Sequence, residues 1–215
     1  MILDVDLKQL ALEISTDPDH RFDLALSLNA LDIALSIAEQ TPAPENEIKW
    51  KAVGDRALSN WKFAAAKRAY EHAGDIGALF LLGLAMGDTS AVKEVGHLAK
   101  GKGLNNIAFA ASWQTGDPRS AVDLLVDTER ASEAALLART YAPSRVGKAV
   151  NAWRGELEKK GRAKVGALIA DPLRGEEREL FEEGWEDTLH CEEEIVGRET
   201  NGVHIDTGVD LKTTA

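Results

Sequence analysis

Hydrophobic residues recur at helical spacing in short bursts along most of the chain. Residues 15–38, STDPDHRFDLALSLNALDIALSIA, hold two such bursts around a polar break. Apolar positions three and four apart put one face of a helix against a neighbour. The pattern returns in IKWKAVGDRALS, WKFAAAKRAYEHAG, ALFLLGLAM, DTSAVKEVGHLAKG, NNIAFAASWQT, PRSAVDLLVDTE and EAALLARTYA. Helices of this length are marginal alone in water, so each needs a packed neighbour.

The breaks keep a beat. Turn residues stand at Asn29, Asn60, Gly87, Gly116 and Pro143, at intervals of 31, 27, 29 and 27 residues. Each interval accommodates two helices. Alanine recurs four or five positions after the first four turns, at Ala34, Ala64, Ala91 and Ala121, where a small side chain would let helix backbones approach. Asp17-Pro18 and Asp117-Pro118 set an N-cap carboxylate before a proline at the first helical position, and Asp88 can cap in the same way. These features predict an all-α fold, an α-solenoid of stacked, TPR-like helix pairs with a period of about 27–31 residues, over residues 1–173. A compact helical bundle is the structural alternative. Asp171-Pro172 reads as the boundary. Residues 174–194 are expected to form an acidic amphipathic helix, and residues 195–215 a disordered tail.

Composition sharpens this reading. Alanine and leucine are abundant and β-branched runs are scarce, which favours helices. The net charge of −11 disfavours nonspecific binding to nucleic acid or anionic membrane. That charge is concentrated: residues 176–194 hold ten acids and one arginine, and residues 1–175 are nearly neutral. Cys191 is the sole cysteine, so no internal disulfide can form. The longest apolar stretch, IGALFLLGLAM at 76–86, is 11 residues, against about 20 for a membrane span. A soluble protein in a reducing compartment is expected.

Candidate chemistry is sparse. GHLAKGKG, residues 96–103, begins like a phosphate-binding loop, but Gly103 stands where a serine or threonine should ligate magnesium. The stretch reads as a helix C-terminus, with Gly101 or Gly103 in a left-handed cap. His20, His72, His97, His190 and His204 form no metal-binding pair at i, i+4. No catalytic, cofactor-binding or metal site is expected. One stripe stands out: Phe181, Trp185 and Leu189, spaced i, i+4, i+8 on the acidic segment. It can cap the solenoid by folding back, or dock on a basic, apolar groove of a partner. Gly184 inside the run would weaken that helix. Trp50, Trp61, Trp113 and Trp153 each lie in a helical pattern and are expected to pack between helices.

Beyond these patterns, STDPDHRF, NNIAF and LARTYAPS, with the helical stretches around them, resemble the α-solenoid of the beta-prime coatomer family, part of the COPI vesicle coat. The likeness runs from about residue 8 to about 173. It implies a non-catalytic structural role in Golgi-to-ER and intra-Golgi transport, and packing against the alpha coatomer subunit and other coat subunits. It also implies a cytoplasmic location at the periphery of Golgi and COPI vesicle membranes, with membrane contact only through the coat. Members carry WD-repeat propellers before the solenoid, and no such repeat is read here, so the chain is expected to be a solenoid portion. Dilysine-signal recognition belongs to those propellers and transfers to no residue of this chain.

Two other function classes stand beside this one. A TPR-like peptide-binding adaptor would need a basic clamp, and no Lys/Arg set recurs at equivalent repeat positions. An enzyme on a helical scaffold would need a convergent polar cluster that no motif supplies. Self-association through an exposed solenoid end is expected of an isolated piece.

Overall fold

The computed structural model describes residues 2–181 and 183–200. Among these there are thirteen α-helices and no strand. In order they are α1 Ile2–Ile14, α2 Pro18–Ser27, α3 Leu31–Gln40, α4 Glu45–Ser59, α5 Phe63–Ala73, α6 Ile76–Met86, α7 Thr89–Gly101, α8 Asn105–Gln114, α9 Pro118–Asp127, α10 Ala131–Tyr141, α11 Val146–Lys159, α12 Ala163–Gly166 and α13 Trp185–Thr200. Two 3₁₀ turns, Pro143–Arg145 and Arg178–Leu180, interrupt the later chain.

The chain divides into two compact units between Ala111 and Ser112. In the first, each helix from α1 to α7 packs on the next, and α2 also reaches α4. In the second, α9, α10, α11 and α12 pack in succession, and α9 also reaches α11. Contacts to the next helix and the next but one are those of a stack, so the fold within each unit is that of an all-α solenoid.

One turn closes most of these helices. The N–H groups of Ala30, Lys62, Asp75, Asp88, Leu104, Asp117, Arg130 and Arg162 each donate to the carbonyl five residues back, at 2.7–3.1 Å. The residue before each donor is left-handed: Asn29, Trp61, Gly74, Gly87, Gly103, Gly116, Glu129 and Gly161. This is the Schellman closure, which satisfies the last helical carbonyls. It explains the beat, because Gly87, Gly116 and Asn29 are such residues. It also moves the second predicted turn by one residue. Asn60 ends α4, but Trp61 takes the left-handed position at φ 59°. Trp61 therefore does not pack between helices as its pattern suggested. It is 80% exposed and meets Phe63 edge-on at 5.9 Å.

The aspartate caps form as read. Asp17 accepts from the N–H groups of Asp19 and His20, Asp88 from Ala91 at 3.0 Å and Asp117 from Ser120 at 3.0 Å. Asp75 caps α6 in the same way, accepting from Ala78 at 2.9 Å. The interior is rich in alanine. Ala34 and Ala121 are fully buried, whereas Ala91 is half-buried and Ala64 is exposed. On α5 the inward face starts two residues later, and Ala66 and Ala69 are fully buried instead. Larger residues fill the remaining space: Phe22, Trp50 and Tyr70 are buried, and Trp50 stacks on His72 at 4.3 Å.

The acidic helix also differs from expectation. It spans Trp185–Thr200 and does not begin at residue 174. Gly184 precedes it at φ 88°, a conformation that stops a right-handed helix from extending backwards. Residues 195–200, expected in the tail, belong to α13, and residues 201–215 lie outside the described residues.

Candidate partner interface

The second unit folds its C-terminal segment back on itself, beginning at α11. Arg154 donates to the carbonyl of Ile169 and to Glu177, with Nη2 2.8 Å from Oε2. Glu177 also accepts the N–H of Asp171 at 2.6 Å. That N–H, followed by the Arg154 guanidinium, holds the Glu177 carboxyl below its ordinary pKa. Asp171 is buried and accepts from the N–H of Leu173 at 3.0 Å, so the predicted boundary is a tied-down bend.

Beyond the Arg178–Leu180 turn, Phe181 is extended at φ −103°, ψ 161°. The three predicted contact residues are therefore not one helical stripe. Phe181 lies before the helix, while Trp185 and Leu189 lie on it. The structure still joins the first two. The Phe181 and Trp185 rings sit 5.2 Å apart, and the Arg139 guanidinium lies 5.8 Å from the Phe181 ring centre. Trp185 is buried at 8% exposure, and Phe181 and Leu189 are half-buried.

Sequence reading missed the residue that locks α13 in place. Glu192 Oε2 accepts the backbone N–H of Ser144 at 2.7 Å, and Oε1 accepts the Ser144 hydroxyl at 2.8 Å. Arg119 Nε is 4.0 Å from the same carboxylate, whose side chain is only 11% exposed. A signal was present in the chain: Glu192 is seven residues after Trp185, two helical turns along one face. It was hidden among Glu192, Glu193 and Glu194, which differ only in direction. Between α13, the start of α9 and the end of α10 lies a cleft of about 250 Å³, with Arg119, Tyr141, Thr188, Glu192, Ile195 and Val196 among its walls.

The other candidates stay apart. Trp113 meets Tyr141 edge-on at 4.8 Å, and Trp153 is half-buried on α11. Residues 96–103 close α7, with Gly103 left-handed at φ 72°, as a helix C-terminus. His190 approaches Glu194, at 3.5 Å on its own helix. No group of three metal-ligating side chains occurs among the described residues. None of the described helices is long and apolar enough to cross a membrane.

The stack of short helices matches a known domain. The family model for the COPA/B TPR domain covers residues 3–154. The chain belongs to the COPA/B TPR domain family. It is 40% identical over 198 residues to coatomer subunit beta'-1 of Arabidopsis thaliana, spanning 92% of this chain and 20% of that protein. It is 42% identical over 169 residues to coatomer subunit beta' of Rattus norvegicus, spanning 79% of this chain and 18% of that one. It is 38% identical over 188 residues to coatomer subunit beta'-1 of Oryza sativa subsp. japonica, spanning 87% and 20%. The chain thus spans about one fifth of the length of these relatives. The Arabidopsis match covers most of both units of this COPA/B TPR domain, beyond the residues that the family model covers.

Proposed function

We propose that this COPA/B TPR domain is a structural element of the COPI vesicle coat, without catalytic activity and without a cofactor. In this reading its helical stack packs against the solenoid of the alpha coatomer subunit and helps scaffold the outer coat layer in Golgi-to-ER and intra-Golgi transport. It works on the cytoplasmic side, at the periphery of Golgi and vesicle membranes, and meets membrane only through other coat subunits. Phe181, just before α13, and Trp185 and Leu189 on it contribute to partner contact. The observation that carries the reading is the 40% identity to a coatomer beta' subunit across 92% of the chain.

Calorimetric titration of the 1–215 chain with the alpha-subunit solenoid from the same source tests it. Saturable one-to-one binding is the expected outcome. No binding by a chain whose circular dichroism is fully helical rejects the proposed packing.

A further inference from the structure

α13 is held by two anchors on one face, Trp185 and Glu192, about 10 Å apart along the helix at 1.5 Å per residue. The surface that receives them is equally specific. Its polar feature is Ser144, whose N–H and hydroxyl both donate to one carboxylate, with Arg119 beside them. Beside Ser144, Ala142 and Pro143 are buried, and the Trp185 ring itself meets Phe181 at 5.2 Å. This surface therefore meets a carboxylate two turns after a buried tryptophan.

The occupant is loosely seated. The cleft of about 250 Å³ remains along its middle, lined by Thr188, Cys191, Glu192, Ile195 and Val196. The indole N–H of Trp185 is buried with no acceptor among the described residues, an unfavourable desolvation. Asp187 and Glu193 lie on its exposed side beside Glu186, paired with Arg178, and Glu194, near His190. A 16-residue helix of this charge gains much of its order from the surface that it covers. The segment leading to it has only a four-residue helix and a 3₁₀ turn, and Gly184 directly before it is left-handed.

We propose that the α9–Pro143–Arg145–α10 surface is a receptor for an acidic amphipathic helix, and that α13 is its built-in, exchangeable occupant. A partner helix with the same tryptophan-to-glutamate spacing displaces α13 and takes its place. The inference rests on the contacts of the second unit and holds whether or not the coat assignment does.

The test uses the full chain and a fluorescein-labelled peptide of residues 178–200, followed by anisotropy. In the wild type, α13 competes at the high effective concentration of a tethered segment, so the peptide binds weakly. The W185A/E192A chain, with its own helix released, should bind the peptide roughly tenfold tighter or better. Adding R119E/S144A to that chain should abolish the gain. Equal binding by wild type and W185A/E192A, with helical circular dichroism retained, overturns the proposal. So does tight binding that survives R119E/S144A. If W185A/E192A unfolds, hydrogen exchange on the wild type decides. α13 amides exchanging roughly tenfold faster than those of α10 support a separate opening, and exchange in step with α10 overturns it.

Discussion

The ring of Tyr70 stands where a side chain at Gly54 would have to be. A Cβ at position 54 would come within 2.6 Å of Tyr70 Cε1. Tyr70 is fully buried, and its hydroxyl donates to Asp55 at 2.8 Å, so the ring has nowhere to go. Gly54 is thus the notch in α4 that receives α5. Gly54→Ala gains about 1 kcal/mol of helix propensity but overpacks this contact, at a cost of about 1–3 kcal/mol. A lower melting temperature is expected. Gly96→Ala should behave alike, because its Cβ would lie 2.8 Å from that of Ala111, which cannot rotate aside. Thermal melts of either variant at or above wild type contradict this packing.

The same tyrosine predicts an alkaline signature. Burial, reinforced by the hydrogen bond to Asp55, raises the Tyr70 pKa above its ordinary value. A folded-state pKa above the unfolded one means that the contribution is complete below about pH 10 and is lost as pH rises through the folded value. Tyr141 is the only other tyrosine. Spectrophotometric titration should show one phenol ionising late in the wild type, and Tyr70→Phe should remove it.

Asp75 joins two functions at the α5–α6 turn. It caps α6 through Ala78 and pairs with Lys51 at 2.5 Å, and the Lys51 contact leads the cap in lowering its pKa. Asp75→Ala should cost about 1 kcal/mol near neutrality, typical of a lost cap. A lowered pKa places this contribution above about pH 4, fading as pH falls through the folded value. Urea melts of the two proteins should therefore converge in acid. A gap that does not narrow as pH falls below about 4 refutes the assignment.

Trp61 occupies a left-handed position that Asn29 fills in an earlier turn and glycine fills in most of the others. A left-handed conformation costs a bulky residue about 1–2 kcal/mol, and asparagine tolerates it better. Trp61→Asn should hold or raise the melting temperature despite the lost contact with Phe63. A clear drop would mean that the exposed indole contributes more than its backbone costs.

The fold-back predicts a local effect. Phe181→Ala with Trp185→Ala removes the aromatic pair that seats α13. Stability should fall, and the Ser144 amide, held by Glu192, should exchange faster. An unchanged melting temperature together with unchanged affinity for the alpha-subunit solenoid would remove both rings from any role.

Much of this protein was legible in its residue order. Short-range effects decide helix existence, and they are written locally: apolar spacing, aspartate before proline, glycine at the stop. The caps at Asp17, Asp88 and Asp117 and the left-handed Gly87 and Gly116 follow from those rules. Family membership was legible for the same reason, in ordered strings such as STDPDHRF. Trp61 and Glu129 escaped because they take left-handed turns that neither side chain favours, held there by the 6→1 bond and the packed helices on each side. Ala64 and Ala66 could not be told apart before the facing of α5 was known. Only tertiary structure chose Glu192 from ten acids, joined it to Ser144 forty-eight residues earlier, and turned Phe181 out of the helix at a left-handed Gly184. Local chemistry sets what each segment can be, and the surface against which it packs decides which of its equivalent residues is used.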